Sequence, residues 1–126
     1  MQVVLLSGDL LDSAVSYYET HEVLLRAFSQ IQAEIFIAPG NHDYYCPKSP
    51  YAMLSFPANV HIFRSPILES ITLANLGCRI WGAGFNAPVC PPLLQGDVYK
   101  RQGPYSIVNA GYICAIINIL PIKFKP

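Results

Sequence analysis

Two short apolar runs in this chain each end near a glycine, and each is followed at once by side chains carrying oxygen or nitrogen. Val3-Val4-Leu5-Leu6-Ser7 leads into Gly8-Asp9-Leu10-Leu11-Asp12, and Ile35-Phe36-Ile37-Ala38 leads through Pro39 into Gly40-Asn41-His42-Asp43. A nearly continuous apolar run suits a parallel strand covered on both faces. Open α/β sheets bind ligands just beyond the carboxyl ends of such strands, where neighbouring loops aim side chains into one crevice. Gly, Asn, Asp and Pro also favour tight turns, so either stretch alone reads as well as a turn. The pair reads better as one shared site, with metal binding its most natural chemistry. Gly8 and Gly40 let the backbone bend sharply and approach an ion or phosphate closely. Asp9 and Asp12 share one side if the chain turns helically after Gly8.

Between the runs, Ser13 to Ile31 reads as a helix. Tyr17, Leu24, Phe28 and Ile31 recur at helical spacing, and Glu19, Glu22 and Arg26 supply the wet side. His21 reads as a surface or packing histidine. With strands at Val3 to Ser7 and Glu34 to Ala38, residues 1 to 43 form a β-α-β unit whose strand ends share one sheet edge. Tyr44 to Tyr51 is a loop rich in proline and aromatics. Tyr44 and Tyr45 read as packing under that loop, with stacking on a base or sugar as the alternative. Ser49-Pro50-Tyr51 has the form of a helix start, serine capping and proline in the first turn. Val60 to Phe63 is a short strand, in which His61 is structural. Ile67 to Leu73 and Cys78 to Trp81 suggest a hairpin across Ala74 to Gly77.

The stretches Gly8-Asp9-Leu10-Leu11-Asp12 and Gly40-Asn41-His42-Asp43 resemble the second and third signature motifs of the calcineurin-like metallophosphoesterases, in order and in their separation by one helix. Asn59-Val60-His61-Ile62-Phe63 and Ile80-Trp81-Gly82-Ala83-Gly84-Phe85 are similar to the branch that contains the SbcD-type DNA-repair exonuclease subunits. The resemblance runs from residue 1 to about residue 90. It implies an α/β fold, part of an αββα sandwich, and divalent-metal-dependent phosphodiester hydrolysis. It implies two divalent metal ions, manganese first and iron or zinc as alternatives. Asp9 would be the carboxylate bridging them, and Asn41 would ligate one through its amide oxygen. His42 would lie beside the phosphate and donate to the departing oxygen, and Asp12 would orient its imidazole. Asp43 would tie down the loop. DNA is the implied partner of a longer parent, together with an ATPase subunit. A phosphomonoesterase of the same superfamily is the alternative activity.

Composition narrows the classes. At 52% hydrophobic and 13% charged residues, the 126-residue chain is no disordered segment and can bury one sizeable core. Its net charge of zero gives no basic stripe of the kind that announces nucleic acid. Cys46, Cys78, Cys90 and Cys114 lack the paired spacing of a zinc knuckle, and no Lys or Arg precedes Arg26 as a charged leader requires. Reduced thiols and a cytoplasmic setting are expected.

The family pattern is incomplete. An Asp-x-His on an earlier strand and a later Gly-His-x-His have no counterpart here. The expectation is a fragment of a longer phosphoesterase, starting at an internal methionine and inactive by itself. Residues 1–96 are expected to be the partial phosphoesterase domain, ending near the helix-breaking Pro88, Pro91 and Pro92. Asp97-Val98-Tyr99-Lys100-Arg101-Gln102 matches the translation of a transposon-end adapter used in sequencing libraries; a genuine loop of mixed charge is the alternative. Residues 97–126 are then a foreign or disordered apolar tail. Gly103 to Ile122 carries no charge and is long enough to span a membrane, although Asn109, Gly111, Asn118 and Pro121 weaken that reading. The alternative is a non-enzymatic piece with a genuine membrane-prone tail; no membrane is expected for the domain itself.

Overall fold

A computed structural model of the chain describes residues 2–14, 18–90, 105–110 and 113–118. The elements run β1 (Val3–Ser7), α1 (Tyr18–Ser29), β2 (Glu34–Ala38), α2 (Pro50–Met53), β3 (Val60–Ile62), β4 (Glu69–Leu73), a 3₁₀ turn (Ala74–Leu76), β5 (Cys78–Gly82), β6 (Tyr105–Ala110) and β7 (Ile113–Asn118). The first sheet has the order β1-β2-β3 and is parallel throughout, with Val3 opposite Glu34, Ser7 opposite Ala38 and Phe36 opposite His61. The second, antiparallel sheet has the order β4-β5-β7-β6.

Strand β2 is central and buried on both faces, and its side chains sort by the period of two that a strand imposes. Ile35 and Ile37 enter one cluster with Leu24 and Phe28 of α1 and with Tyr51 of α2. Phe36 and Ala38 enter the other, with Phe63, Leu73, Cys78, Ile80 and Phe85. The first sheet is thus covered by helix on one side and by the second sheet on the other. That is the expected α/β fold of a partial αββα sandwich. Each large buried side chain here contributes about 1.5–3 kcal/mol of burial free energy. His61 is structural, as expected: its ring stacks on Phe36 with centroids 4.7 Å apart, and its Nε2 lies 2.7 Å from Glu34 Oε2.

Several boundaries differ from the sequence expectation. The expected helix from Ser13 to Ile31 is described over Tyr18–Ser29, and Ser13, Ala14, Gln30 and Ile31 lie outside it. Ala14 is buried ahead of it, and after it the Asn59 side chain donates to the carbonyls of Ile31 and Ala33, drawing the chain out of helix. Glu19, Glu22 and Arg26 are exposed as expected, and Tyr17 lies outside the described residues. Ser49 occupies the position before α2 but does not cap it. Its hydroxyl turns back and donates to the Cys46 carbonyl instead, so the capping expectation fails to a competing turn. The hairpin β4–β5 closes as expected, with Gly77 at φ +63° ending the 3₁₀ turn.

The expected boundary between residues 96 and 97, and the adapter-like hexapeptide with it, lie outside the described residues. Beyond them, β6 and β7 pair as a hairpin, and β7 adds to β5 with Gly82 opposite Ala115. Among the described residues no helix is long and apolar enough to cross a membrane.

Candidate active site

The parallel sheet brings the two glycine-bearing stretches together at its carboxyl edge. Gly8 N–H continues the ladder by donating to Ala38 C=O at 2.8 Å. The chain then turns through two successive left-handed residues, Gly8 at φ 67° and Asp9 at φ 50°. Glycine adopts that conformation freely, whereas for Asp9 it is sparsely populated and needs support from its surroundings. That support comes from the second loop. Asp9 N–H donates to Asp43 Oδ1 at 3.1 Å, and Asp9 Oδ1 accepts the His42 N–H at 3.1 Å.

Gly40 is required by proximity, not by its own dihedral. A Cβ there would lie 2.3 Å from Asp9 Oδ1 and 2.6 Å from Asp9 N, so only glycine lets the loops meet this closely.

Asp43 is the hub between the loops. It is fully buried, and its two oxygens collect four donors: Gly40 N–H at 2.7 Å and Asp9 N–H on Oδ1, then Leu11 N–H at 3.2 Å and the Tyr51 hydroxyl at 2.5 Å on Oδ2. Amides from both strand-end loops therefore converge on one carboxylate, and hydrogen bonds to a charged acceptor are the strong kind. The Tyr51 phenol is pushed well above its ordinary range, first by burial, then by the hydrogen bond to Asp43 and the charges of Asp43 and Asp9. It remains a donor at any pH the fold meets.

A third segment backs the second loop. Phe85 N–H donates to Pro39 C=O at 2.9 Å, Tyr45 N–H to Phe85 C=O at 2.8 Å, and Gly84 N–H to Ser65 C=O at 2.9 Å. A Cβ on Gly82 would meet the Phe63 ring at 2.1 Å, and one on Gly84 would meet Phe63 O at 2.2 Å and Pro39 Cδ at 2.7 Å. Tyr44 packs against the cluster between the sheets and Tyr45 against the helix-side cluster, with the Arg64 guanidinium 5.6 Å from the Tyr45 ring centroid.

Of the residues singled out in sequence, Asp9, Asn41, His42 and Asp43 come together in this edge. Asp9 and His42 are exposed, Asn41 is half-buried and Asp43 is fully buried. Asp12 is also exposed, and among the described residues no hydrogen bond joins it to His42. Tyr51 was not legible as part of the site. Its contact with Asp43 spans eight residues and leaves no local pattern.

The donors fit a divalent cation in kind and fall short in number. Asp9 offers carboxylate oxygens and Asn41 an amide oxygen, both suited to hard or borderline divalent metals. Among the described residues no three His, Cys, Asp or Glu side chains gather as a ligand set.

A family model described as calcineurin-like phosphoesterase matches residues 2–115. No curated protein and no solved structure matches the chain. With that match running over most of its length, and with two glycine-bent loops meeting at the end of a parallel sheet, the chain belongs to the calcineurin-like phosphoesterase family, whose chemistry is metal-dependent phosphoester hydrolysis.

Proposed function

We propose that the chain carries one edge of the catalytic centre of a divalent-metal-dependent phosphodiesterase of the DNA-repair exonuclease type. The observation that carries the reading is the cross-connection of the two strand-end loops, in which Asp43 gathers amides from both and Asp9 accepts the His42 amide. An exposed carboxylate, a carboxamide and an exposed imidazole then share one rim, which is the donor set for a cation beside a phosphate.

Members of the family usually bind divalent metals. Asp9 and Asn41 would hold them here, manganese being the first choice and iron or zinc the alternatives. When bound, the metals supply Lewis-acid stabilisation of the charge that develops at phosphorus. His42 stands on the phosphate side and gives a proton or hydrogen bond to the departing oxygen. Its backbone is pinned to Asp9, so its imidazole swings from a fixed root. Asp12 accepts from the other ring nitrogen once substrate is seated; such catalytic hydrogen bonds commonly tighten only in the complex.

The finer assignment to DNA draws on the likeness of Asn59–Phe63 and Ile80–Phe85 to the SbcD-type branch. These two stretches pack on each other and on Pro39 at the base of the site loop. A cytoplasmic setting, with Cys46, Cys78 and Cys90 as free thiols, and an ATPase subunit as partner belong to the same reading.

Calorimetry with manganese tests the ligand roles. Asp9 and Asn41 supply about three bonds to two metals that take about four to six each, so residues 1–126 should bind weakly and turn over little. Asp9→Ala should remove the binding and His42→Ala should leave it. Where hydrolysis of a single-stranded oligonucleotide is measurable, His42→Ala should lower the rate roughly 10²–10⁴-fold, and less for nitrophenyl esters that need little protonation. Metal loss on His42→Ala, or an equal deficit for every leaving group, would overturn the assignment.

A further inference from the structure

We propose that Tyr51 is a positioning residue of this site: its hydroxyl fixes the Asp43 carboxylate and thereby the left-handed turn that presents Asp9. The inference rests on the phosphoesterase reading for its purpose, and on geometry alone for its mechanism.

Tyr51 is 2% exposed, so it cannot touch a substrate arriving from solvent. Its ring is held in the cluster formed by Leu24, Phe28, Ile35 and Ile37, between α1 and the parallel sheet. The hydroxyl is therefore delivered from the most rigid part of the fold to Asp43 Oδ2. A carboxylate on a short side chain keeps one soft rotation, about its terminal bond. With Tyr51 in place, Oδ2 is anchored from below, and Oδ1 must face the amides of Gly40 and Asp9. Without it, Oδ2 retains the Leu11 amide at 3.2 Å as its remaining partner among the described residues. With the anchor in the core gone, rotation of the carboxylate is opposed by the amides alone.

Asp9 feels that rotation directly. Its φ of 50° is tolerated while its N–H has an acceptor in Asp43 and its Oδ1 holds the His42 amide. The path runs from the core through Tyr51, Asp43 and Asp9 to His42, and every link is a hydrogen bond or a packed ring. Burial and the neighbouring carboxylates favour the protonated, donating form of the phenol.

The test uses the full chain and Tyr51→Phe, which keeps the ring and removes one oxygen. Nuclear magnetic resonance reads the amide protons of Asp9, Leu11 and Gly40, and manganese titration reads paramagnetic broadening at Asn41 and His42. The three amide protons should move upfield and exchange faster. The manganese concentration that half-broadens Asn41 and His42 should rise about 10-fold or more, as for other partners that orient a ligand without touching the metal. Phe28→Leu, a packing change in the same cluster, should lower the melting temperature and leave those amides in place. Asp43→Asn should give the Tyr51→Phe pattern, and adding Tyr51→Phe to it should change little more, because the two act in series.

Unmoved Asp9, Leu11 and Gly40 amides in Tyr51→Phe would overturn the proposal even if stability fell. So would fully additive effects of Tyr51→Phe and Asp43→Asn. Should manganese fail to broaden Asn41 and His42 in the unaltered chain, the functional reading fails, while the amide shifts still decide the role of Tyr51.

Discussion

Gly40→Ala is the sharpest test of how the two loops are assembled. The added methyl would sit 2.3 Å from Asp9 Oδ1, 2.9 Å from its Cγ and 2.6 Å from its backbone nitrogen. The carboxylate could swing aside, but the nitrogen belongs to the main chain and must retreat by roughly 0.8 Å to reach ordinary contact. Such a retreat stretches the Asp9 N–H bond to Asp43, already 3.1 Å, beyond useful length. Overpacking of this kind costs about 1–3 kcal/mol, and losing a hydrogen bond to a charged acceptor costs about 1.5–3 kcal/mol. The expected total is roughly 3–5 kcal/mol, a large part of the roughly 5–15 kcal/mol that holds a domain together. In urea, with a slope of about 1–3 kcal/mol per molar, the midpoint should fall by at least about 1 M at unchanged slope. Gly77→Ala is the matched control: Gly77 has φ +63° and nothing within 4 Å of its missing Cβ, so only the dihedral penalty of about 1–2 kcal/mol applies. Asp9→Gly keeps the backbone nitrogen, so in the Gly40→Ala background it should relieve only the side-chain part of the clash and leave most of the loss in place. A Gly40→Ala midpoint no lower than that of Gly77→Ala would refute the close-approach argument.

Further expectations concern pH and the tail. The Tyr51 phenol is raised above its unfolded value of 10.0, so folding favours its protonated form. That contribution is complete below about pH 10 and is lost as pH rises beyond it, by up to about 1.4 kcal/mol per pH unit. Urea midpoints between pH 9 and pH 11 should therefore fall more steeply for the unaltered chain than for Tyr51→Phe; parallel curves would contradict the buried-donor assignment. Deleting residues 97–126 should leave the melting transition of the remainder unchanged or sharper if that segment is foreign to the domain. A large loss of stability would instead show that the pairing of β7 with β5 is integral.

Much of the architecture was legible because it is written locally. Val3–Ser7 and Glu34–Ala38 are apolar without alternation, and they became parallel strands flanked on both faces. Leu24 and Phe28 lie four apart and both face the core, as helical periodicity requires. Gly77 marked the hairpin because a left-handed residue was needed there. Element ends were less legible, since they were decided by distant partners: Asn59 terminates the run after α1, and Cys46 diverts the Ser49 hydroxyl.

The same division holds at the site. That a carboxylate, an amide and an imidazole follow two apolar strands is readable from the residues alone, because strand-then-glycine patterns are short-range. So is the place of Asp43 in the loop. That Gly40 must lack a Cβ because Asp9 passes so close to it, and that Asp9 stands in a left-handed turn, emerges only in three dimensions. So does Tyr51 as the fourth donor to Asp43. Those facts depend on distances between residues up to 34 apart in the chain, such as Asp9 and Asp43. A hydrogen bond across that separation costs no particular residue pattern at either end, so it becomes visible only when the sheet has set the two strand ends side by side.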